Sequence, residues 1–320
     1  MRPIQRILGY TMPLLPDSGA WPARAIHARD AKVRLQLQID LRYLIDDPFG
    51  ADFIFNLHAA HTPRQLVLDE RLLLSQPLAT RLHTDPASGN RLLRLHAEPG
   101  ELRLSYSASV ELHHRRTPVD ALPEVPVQRL PDSVLPYLYP SRYCPSDQLM
   151  ALARAEFGGL CHGHARVLAI QHWVQRQVRF TPNTSTSSTS ALDTLAQRTG
   201  VCRDFAHLMI ALCRALNIPA RFATGTDFGA DPALGPPDFH AYVEVFLGDA
   251  WYLFDPSGTA IPMGFVRIGT GRDAADVAFA TLFGAVRSDA PIIRTQPVVD
   301  PAHNLIYPMH CSDALSTAAL

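Results

Sequence analysis

Between Val33 and Ile45, apolar and polar residues alternate without interruption in the run VRLQLQIDLRYLI. A period of two is typical of a β-strand that buries one face. Further segments of strand character follow as far as Leu112, and the turn-rich stretches TDPASGN and AEPGE separate several of them. Because no amphipathic helix interrupts this region, we expect an antiparallel β-sandwich or an open barrel.

The chain is too long for one ordinary core, since its 320 residues favour two domains. Hydrophobic residues make up 47% and charged residues 18%, which excludes a disordered chain. The net charge of -1 excludes the basic surplus that nucleic-acid binding requires, and no stretch is long and apolar enough for a membrane span. We therefore expect neither a nucleic-acid partner nor a membrane partner.

The domain organisation follows from two changes in the pattern. Prolines crowd the segment between Thr117 and Pro145, which forbids regular helix and central strand there. From Ser146 the apolar spacing changes toward the helical period, and strand-like segments return after residue 219. The prediction is an N-terminal extension, a β-rich domain, a proline-rich connector, an α+β catalytic domain and a C-terminal tail, at residues 1–31, 32–115, 116–145, 146–290 and 291–320.

The five cysteines form no CxxC pair and are an odd number. A disulfide framework and a zinc cluster are therefore both disfavoured, and a reduced, cytoplasmic location is expected. The N-terminal segment contains no apolar run of the length that an export signal needs, because Pro3, Gly9, Pro13 and Pro16 interrupt it. We interpret it as a non-secretory extension.

The candidate active site lies between Thr199 and Pro256. The segment GVCRDFAHL places Cys202 at the start of an apolar helix, where free N–H groups and the helix dipole stabilise a thiolate. His240 begins a predicted strand, and Asp255 ends the next one. Adjacent antiparallel strands can hold the imidazole beside the carboxylate, which orients it toward the thiol. The prediction is a catalytic triad in the order Cys, His, Asp.

The segments GVCRDFAHL, DFHAYVEVFLGDAWYLFDPSG and VRIGTGRDAADVAFATLFG resemble the bacterial transglutaminase-like superfamily, a family of the cysteine protease type. The resemblance extends upstream through YLYPSRYCPSDQL. It also includes the N-terminal β-domain of these proteins, through FNLHAAHTPRQLVLDERL, and covers most of residues 33–287.

The resemblance implies a papain-like α+β catalytic domain in which the nucleophile helix packs on an antiparallel sheet. It assigns Cys202 as the nucleophile, His240 as the base and Asp255 as the orienting acid. The implied reaction is acyl transfer on a peptide or amide substrate, with hydrolysis as the leading hypothesis. An acyltransferase, or transglutaminase, that forms a new amide with an amine is the second hypothesis, and a non-catalytic binding module is the third. No metal or other cofactor is expected, because no acidic cluster of the calcium-binding kind is present.

Several nearby residues receive structural interpretations. Cys213 and His207 are expected in the core of the same helix, and Asp204 is expected to support its first turn. The CHGH sequence at residues 161–164 has no complementary ligand pair, so a helix start is favoured over a metal site. The backbone N–H of Cys202 is the predicted oxyanion donor. The loops at 181–190 and 226–239 are the predicted specificity loops, and the second either gates the site or is a plain connection.

Overall fold

The computed structural model describes residues 31–230 and 237–318, so the predicted N-terminal extension lies outside the described residues except for Ala31. The seventeen strands are β1 Val33–Ile45, β2 Ala51–Phe55, β3 Gln65–Leu74, β4 Thr80–Thr84, β5 Arg91–Ala97, β6 Gly100–Leu112, β7 Arg115–Thr117, β8 Arg179–Phe180, β9 Thr199–Gly200, β10 Ala220–Thr226, β11 His240–Leu247, β12 Ala250–Phe254, β13 Val266–Gly271, β14 Ala280–Phe283, β15 Val286–Ser288, β16 Ile292–Val298 and β17 Ala314–Ser316. The four α-helices of the described chain are α1 Met150–Phe157, α2 His164–Gln177, α3 Ala191–Gln197 and α4 Cys202–Ala215.

The N-terminal region is a pair of antiparallel sheets, as the alternating pattern predicts. One sheet has the order β15-β1-β6-β3, with β16 also paired to β1, and the other has the order β14-β2-β5-β4. The first strand begins at Val33 and pairs with β6 along its whole length. Its alternate side chains are buried and join those of Phe53 and Phe55 in one core. The prediction of a sandwich-like domain is confirmed.

The catalytic region contains a four-stranded antiparallel sheet of order β12-β11-β10-β13. Helix α4 covers one face, and its residues Phe205 and Met209 belong to the same core as Val243 of β11. The opposite face packs on the N-terminal sheets, and Tyr242 and Phe265 belong to that shared core. Every residue of β11 and β12 is consequently buried. The α+β arrangement predicted for this region is confirmed.

The proline-rich connector packs along the catalytic region and contains only short 3-10 turns between residues 119 and 138. Leu130 and Val134 share a small apolar cluster with Phe246 and Trp251. Arg221 lies over the Trp251 ring, with its guanidinium carbon 4.2 Å from the ring centroid. The connector is therefore a packed part of the structure.

Four short strands late in the chain return to the earlier domain. Strand β14 pairs with β2, β15 and β16 pair with β1, and β17 pairs with β7. Strands β16 and β17 belong to the predicted tail, whereas β14 and β15 lie before residue 290, and the proposed boundary at that residue stays a prediction. None of the helices within the described ranges has the length and apolar character needed to cross a membrane.

Candidate active site

Cys202 is the first residue of α4, and the carboxylate of Asp204 holds the chain that leads into it. One oxygen of Asp204 accepts the N–H of Val201 at 2.9 Å, and the other accepts the hydroxyl of Ser185 at 2.9 Å. A Cβ on Gly200 would lie 2.7 Å from the Cβ of Asp204, so only glycine fits that approach. Asp204 thus supports the first turn of α4, as predicted. It also attaches the 181–190 loop to this helix.

The Cys202 thiol lies at the surface of the core rather than within it. Its side chain is half-buried, and Sγ is 3.9 Å from the carbonyl oxygen of Phe239. Cys144 and Cys213 are fully buried, and burial raises the pKa of the Cys144 thiol to about 12 and that of Cys213 still further. Within the catalytic region, Cys202 therefore combines access to solvent with a helix N-terminus.

The structure brings all three predicted catalytic side chains together. His240 begins β11, and the Asp255 carboxylate follows the last residue of β12, the adjacent strand. His240 Nε2 lies 3.4 Å from Asp255 Oδ1, and both side chains are buried. Sγ of Cys202 lies 3.9 Å from the carbonyl oxygen of Phe239, the residue before His240, and the thiol contributes to the raised pKa of His240. Since Nε2 faces Asp255, Nδ1 is the ring nitrogen that is left to act on the thiol.

The Asp255 carboxylate is fixed by a turn that begins with its own side chain. Oδ1 accepts the N–H of Ser257 at 3.1 Å and its hydroxyl at 2.6 Å, while Oδ2 accepts the N–H of Ala260 at 3.1 Å. The sequence Asp-Pro-Ser-Gly is typical of such an Asx turn. The ring of His240 packs against Phe265, with centroids 5.0 Å apart. Both members of the pair are thus held in place by local contacts.

The electrostatics of the site favour an imidazolium beside a carboxylate. Burial lowers the pKa of His240, but the negative charge of Asp255 and the contact with Cys202 outweigh it and raise that pKa well above its usual value. Burial raises the pKa of Asp255, and the positive charge of His240 and the donated hydrogen bonds reverse this and lower it. The charged forms of both groups stabilise each other.

The other histidines considered from the sequence have structural contacts of their own. His207 is fully buried, its ring stacks on Tyr143, and Nε2 accepts the N–H of Ala274 at 3.2 Å. His164 is the first residue of α2 and packs against Phe254. Among the described residues, no group of three or more histidine, cysteine, aspartate or glutamate side chains is arranged so that it could hold a metal ion.

Sequence analysis missed Asp227, which follows β10 and lies beside the predicted pair. Burial raises the pKa of its carboxyl group, while the positive charge of His240 opposes that shift and the negative charge of Asp255 adds to it. The sequence signal that could have revealed Asp227 is its position directly after β10, the strand next to the one that carries His240. Residues 231–236 of the predicted gating loop lie outside the described residues, so gating stays a prediction.

These features define a class: an α+β protein in which a cysteine at a helix N-terminus adjoins a histidine and an aspartate on neighbouring strands. The chain belongs to the transglutaminase-like superfamily. Residues 151–256 match the family model for the transglutaminase-like superfamily, and residues 33–133 match that for the bacterial transglutaminase N-terminal domain. The family resemblance and its two-part arrangement are therefore confirmed.

The chain is similar to a solved structure described as a "putative cysteine protease" from Cytophaga hutchinsonii. The two are 38% identical with a TM-score of 0.81, and the similarity covers 89% of this chain and 97% of that one. An uncharacterized Mycobacterium leprae protein is 28% identical over 58% of this chain and 68% of its own length. An uncharacterized Mycobacterium tuberculosis protein is 35% identical over 29% of this chain and 33% of its own.

Proposed function

We propose that this protein is a cysteine hydrolase that cleaves an amide or peptide bond through a thioester on Cys202. The observation that carries the proposal is the convergence of Cys202, His240 and Asp255 at the end of one sheet. A thiol, an imidazole and a carboxylate in this order are the set that nucleophilic acyl transfer needs. The description of the Cytophaga hutchinsonii relative supports the same class of reaction.

The proposed reaction begins with the thiolate of Cys202 and the imidazolium of His240. The thiolate attacks the carbonyl carbon of the substrate, the C–N bond breaks, and His240 gives its proton to the leaving nitrogen. Water then loses a proton to His240 and attacks the thioester, which releases the carboxylic acid and restores the thiolate. Asp255 orients the ring and stabilises its charge through both steps.

The start of α4 supports stabilisation of the tetrahedral intermediate. The first N–H groups of a helix have no acceptor within the helix, and they carry the positive end of its dipole. The N–H of Cys202 is one of these groups, so we propose it as an oxyanion donor. Asp204 would preserve this arrangement by holding the preceding residue, Val201.

Hydrolysis is proposed ahead of amine transfer because water is always present, whereas transfer needs a site that binds an amine acceptor. An acyltransferase remains the second candidate, since its thioester would use the same three side chains. A binding module has no need for all three, so the third hypothesis is disfavoured. We also propose a reduced, cytoplasmic setting, which is supported by five cysteines that are all free.

The test combines trapping with product analysis. A peptide vinyl sulfone should add once to the wild-type protein, at Cys202, and should not add at this position in Cys202→Ala. Peptide amides should then yield free amine with the wild type. The acyl group should be transferred to monodansylcadaverine more slowly than to water. Incorporation that exceeds hydrolysis would select the acyltransferase instead, and labelling elsewhere with retained turnover in Cys202→Ala would refute the mechanism.

A further inference from the structure

A carboxyl group outside the predicted triad, that of Asp227, lies next to it. Strand β10 pairs with β11 so that Gly225 is opposite His240, and Asp227 follows two residues later. The register of β10 against β13 shifts after Thr224, and bulges of this kind redirect side chains beside active sites. Asp227 therefore emerges at the strand end that carries His240. Burial raises the pKa of its carboxyl group, and the positive charge of His240 opposes that shift.

The backbone on both sides of Asp227 is held by close contacts. A Cβ on Gly225 would lie 2.0 Å from the carbonyl oxygen of Val266, so the bulge requires glycine. On the other side, Phe228 donates its N–H to the carbonyl oxygen of Gly264 at 3.2 Å. The position of Asp227 is consequently set by the fold rather than by an exposed, unattached loop.

One oxygen of Asp227 has no protein partner in the part of the chain that the structure describes. Oδ2 is shielded from solvent and forms no hydrogen bond there. Asp255 differs, since both of its oxygens accept hydrogen bonds from the turn that follows it. Asp238 is exposed, and its Oδ1 accepts the N–H of Phe239 at 2.7 Å. A shielded carboxylate oxygen without a partner is unfavourable, and a positive charge close to this half-buried carboxyl group would relieve that penalty.

The chemistry of the reaction indicates which half of the substrate would carry that cation. The leaving nitrogen must approach His240 to receive its proton, so the amine half of the substrate lies on the His240 side of Cys202. A carboxyl group beside His240 therefore acts on the amine half rather than on the acyl half. A positively charged substituent on that half would therefore face the side of the site from which Asp227 emerges.

We propose that Asp227 binds a positive charge on the amine half of the substrate, and that the preferred substrates are amides whose amine portion carries an ammonium group. This inference rests on the proposed function and makes it more specific. The alternative is that Asp227 only positions His240. Charge recognition would discriminate between cationic and neutral ligands, whereas positioning would affect both equally.

Methanethiosulfonates of different charge separate these two roles without any substrate. The 2-aminoethyl reagent is cationic, the propyl reagent is its neutral isostere, and each forms a mixed disulfide with Cys202 and releases methanesulfinate. Rates would be measured at pH 7.5 by peptide mapping, which distinguishes Cys202 from the solvent-accessible Cys161 and Cys311. The variants are Asp227→Asn and, as the matched control, Asp238→Asn.

We expect the ratio of the Cys202 modification rates, 2-aminoethyl reagent over propyl reagent, to fall about fivefold in Asp227→Asn. This is the size expected when one charge is lost several ångströms away in a medium of high effective dielectric constant. The ratio in Asp238→Asn should stay within about twofold of the wild type, because exposed charges are screened. An unchanged ratio in Asp227→Asn would overturn the proposal. Equal slowing with both reagents would also overturn it, and would leave a positioning role.

A second measurement uses the wild type alone and covers the case in which Asp227→Asn fails to fold. Butylammonium ion should slow modification of Cys202 by the propyl reagent, and the same concentration of 1-butanol should not. Equal protection by both compounds would refute the charge recognition. Trapping of Cys202 by a peptide vinyl sulfone can succeed whichever result is obtained, so failure here is distinguishable from failure of the proposed hydrolase.

Discussion

The Nε2 atom of His240 faces Oδ1 of Asp255 across 3.4 Å, and each side chain is no more than 6% exposed. The contact is a buried ion pair rather than a well-aligned hydrogen bond, because Nε2 has no hydrogen-bond partner within residues 31–230 and 237–318. Loss of one member of a buried pair costs about 3–5 kcal/mol, since the remaining charge stays buried and uncompensated. Changes to this pair should therefore affect both the proposed catalysis and the free energy of unfolding.

Replacement of Asp255 by asparagine should lower kcat by at least about tenfold, because the side chain would no longer balance the charge of His240. His240→Ala should lower it further, since that change also removes the group that protonates the leaving amine. Steady-state kinetics on a substrate found by profiling would measure both effects.

The matched control for Asp255→Asn is Asp249→Asn. Asp249 is exposed and pairs with Arg115 at 2.9 Å, and surface pairs of this kind contribute at most about 1 kcal/mol. Its kinetics should match those of the wild type. Equal kinetics for the two asparagine variants would reduce the catalytic set to Cys202 and His240.

Iodoacetamide should alkylate Cys202 faster than Cys144 or Cys213 in the native protein. Cys202 is half-buried at a helix start, whereas the other two thiols are fully buried and burial raises the pKa of each. Peptide mapping over a time course gives the three rates. Faster labelling of Cys144 or Cys213 would contradict the assignment of the nucleophile.

Cys202→Ala should abolish turnover and leave the protein folded. The side chain is half-buried at the edge of the core, and its hydrogen bond to the Phe239 carbonyl oxygen is long, at 3.9 Å, so little stability depends on the sulfur. Thermal unfolding and circular dichroism would compare it with the wild type. Near-wild-type turnover in a folded variant would refute the thioester mechanism.

The stabilising effect of the His240–Asp255 pair should be complete between about pH 3.8 and 6.5, the usual pKa values of its members. The pKa of Asp255 is lowered, so its contribution is present above 3.8 and is lost as the pH falls through the lowered pKa. The pKa of His240 is raised, so its contribution is present below 6.5 and is lost as the pH rises through the raised pKa.

Urea unfolding at several pH values tests this dependence. The difference in free energy of unfolding between the wild type and Asp255→Asn should be largest near pH 5 and should shrink at alkaline pH. Asp249→Asn should show no such trend. A difference that stays constant with pH would indicate that Asp255 acts through its turn and not through its charge.

Gly225→Ala should destabilise the protein by about 1–3 kcal/mol, because the added Cβ would lie far inside contact distance of the Val266 carbonyl oxygen. It should also reduce activity, since Gly225 is paired with His240. Gly159→Ala is the control, because its Cβ would meet no atom within 4 Å. Urea denaturation would measure both, and equal stability of the two variants would show that the bulge accommodates a side chain.

Local patterns in the sequence identify much of this architecture. The alternation from Val33 to Ile45 predicts β1 with both of its ends, because a half-buried strand has to repeat every two residues. Likewise, the glycine-led start of an apolar run predicts the first turn of α4 at Cys202. His240 and Asp255 could be placed near each other because sequential antiparallel strands usually pair.

What the sequence does not reveal depends on contacts between distant segments. The pairing of β16 with β1 leaves no local signal, since either edge of a strand offers the same backbone groups. The position of Asp227 depends on a bulge between β10 and β13, and a glycine such as Gly225 in a strand does not by itself show where the register shifts. The Ala260 contact with Asp255 likewise depends on the path of a turn.

The pairing of β1 with β16 has a consequence for the order in which the protein folds. Asp40 and Arg294 lie on these two strands and contact each other although they are 254 residues apart in the sequence. During synthesis, β1 can pair with β6 early, but its other edge stays open until the catalytic region has been made. An open edge invites pairing with other chains, so the partly synthesised protein would be most prone to aggregate in that interval.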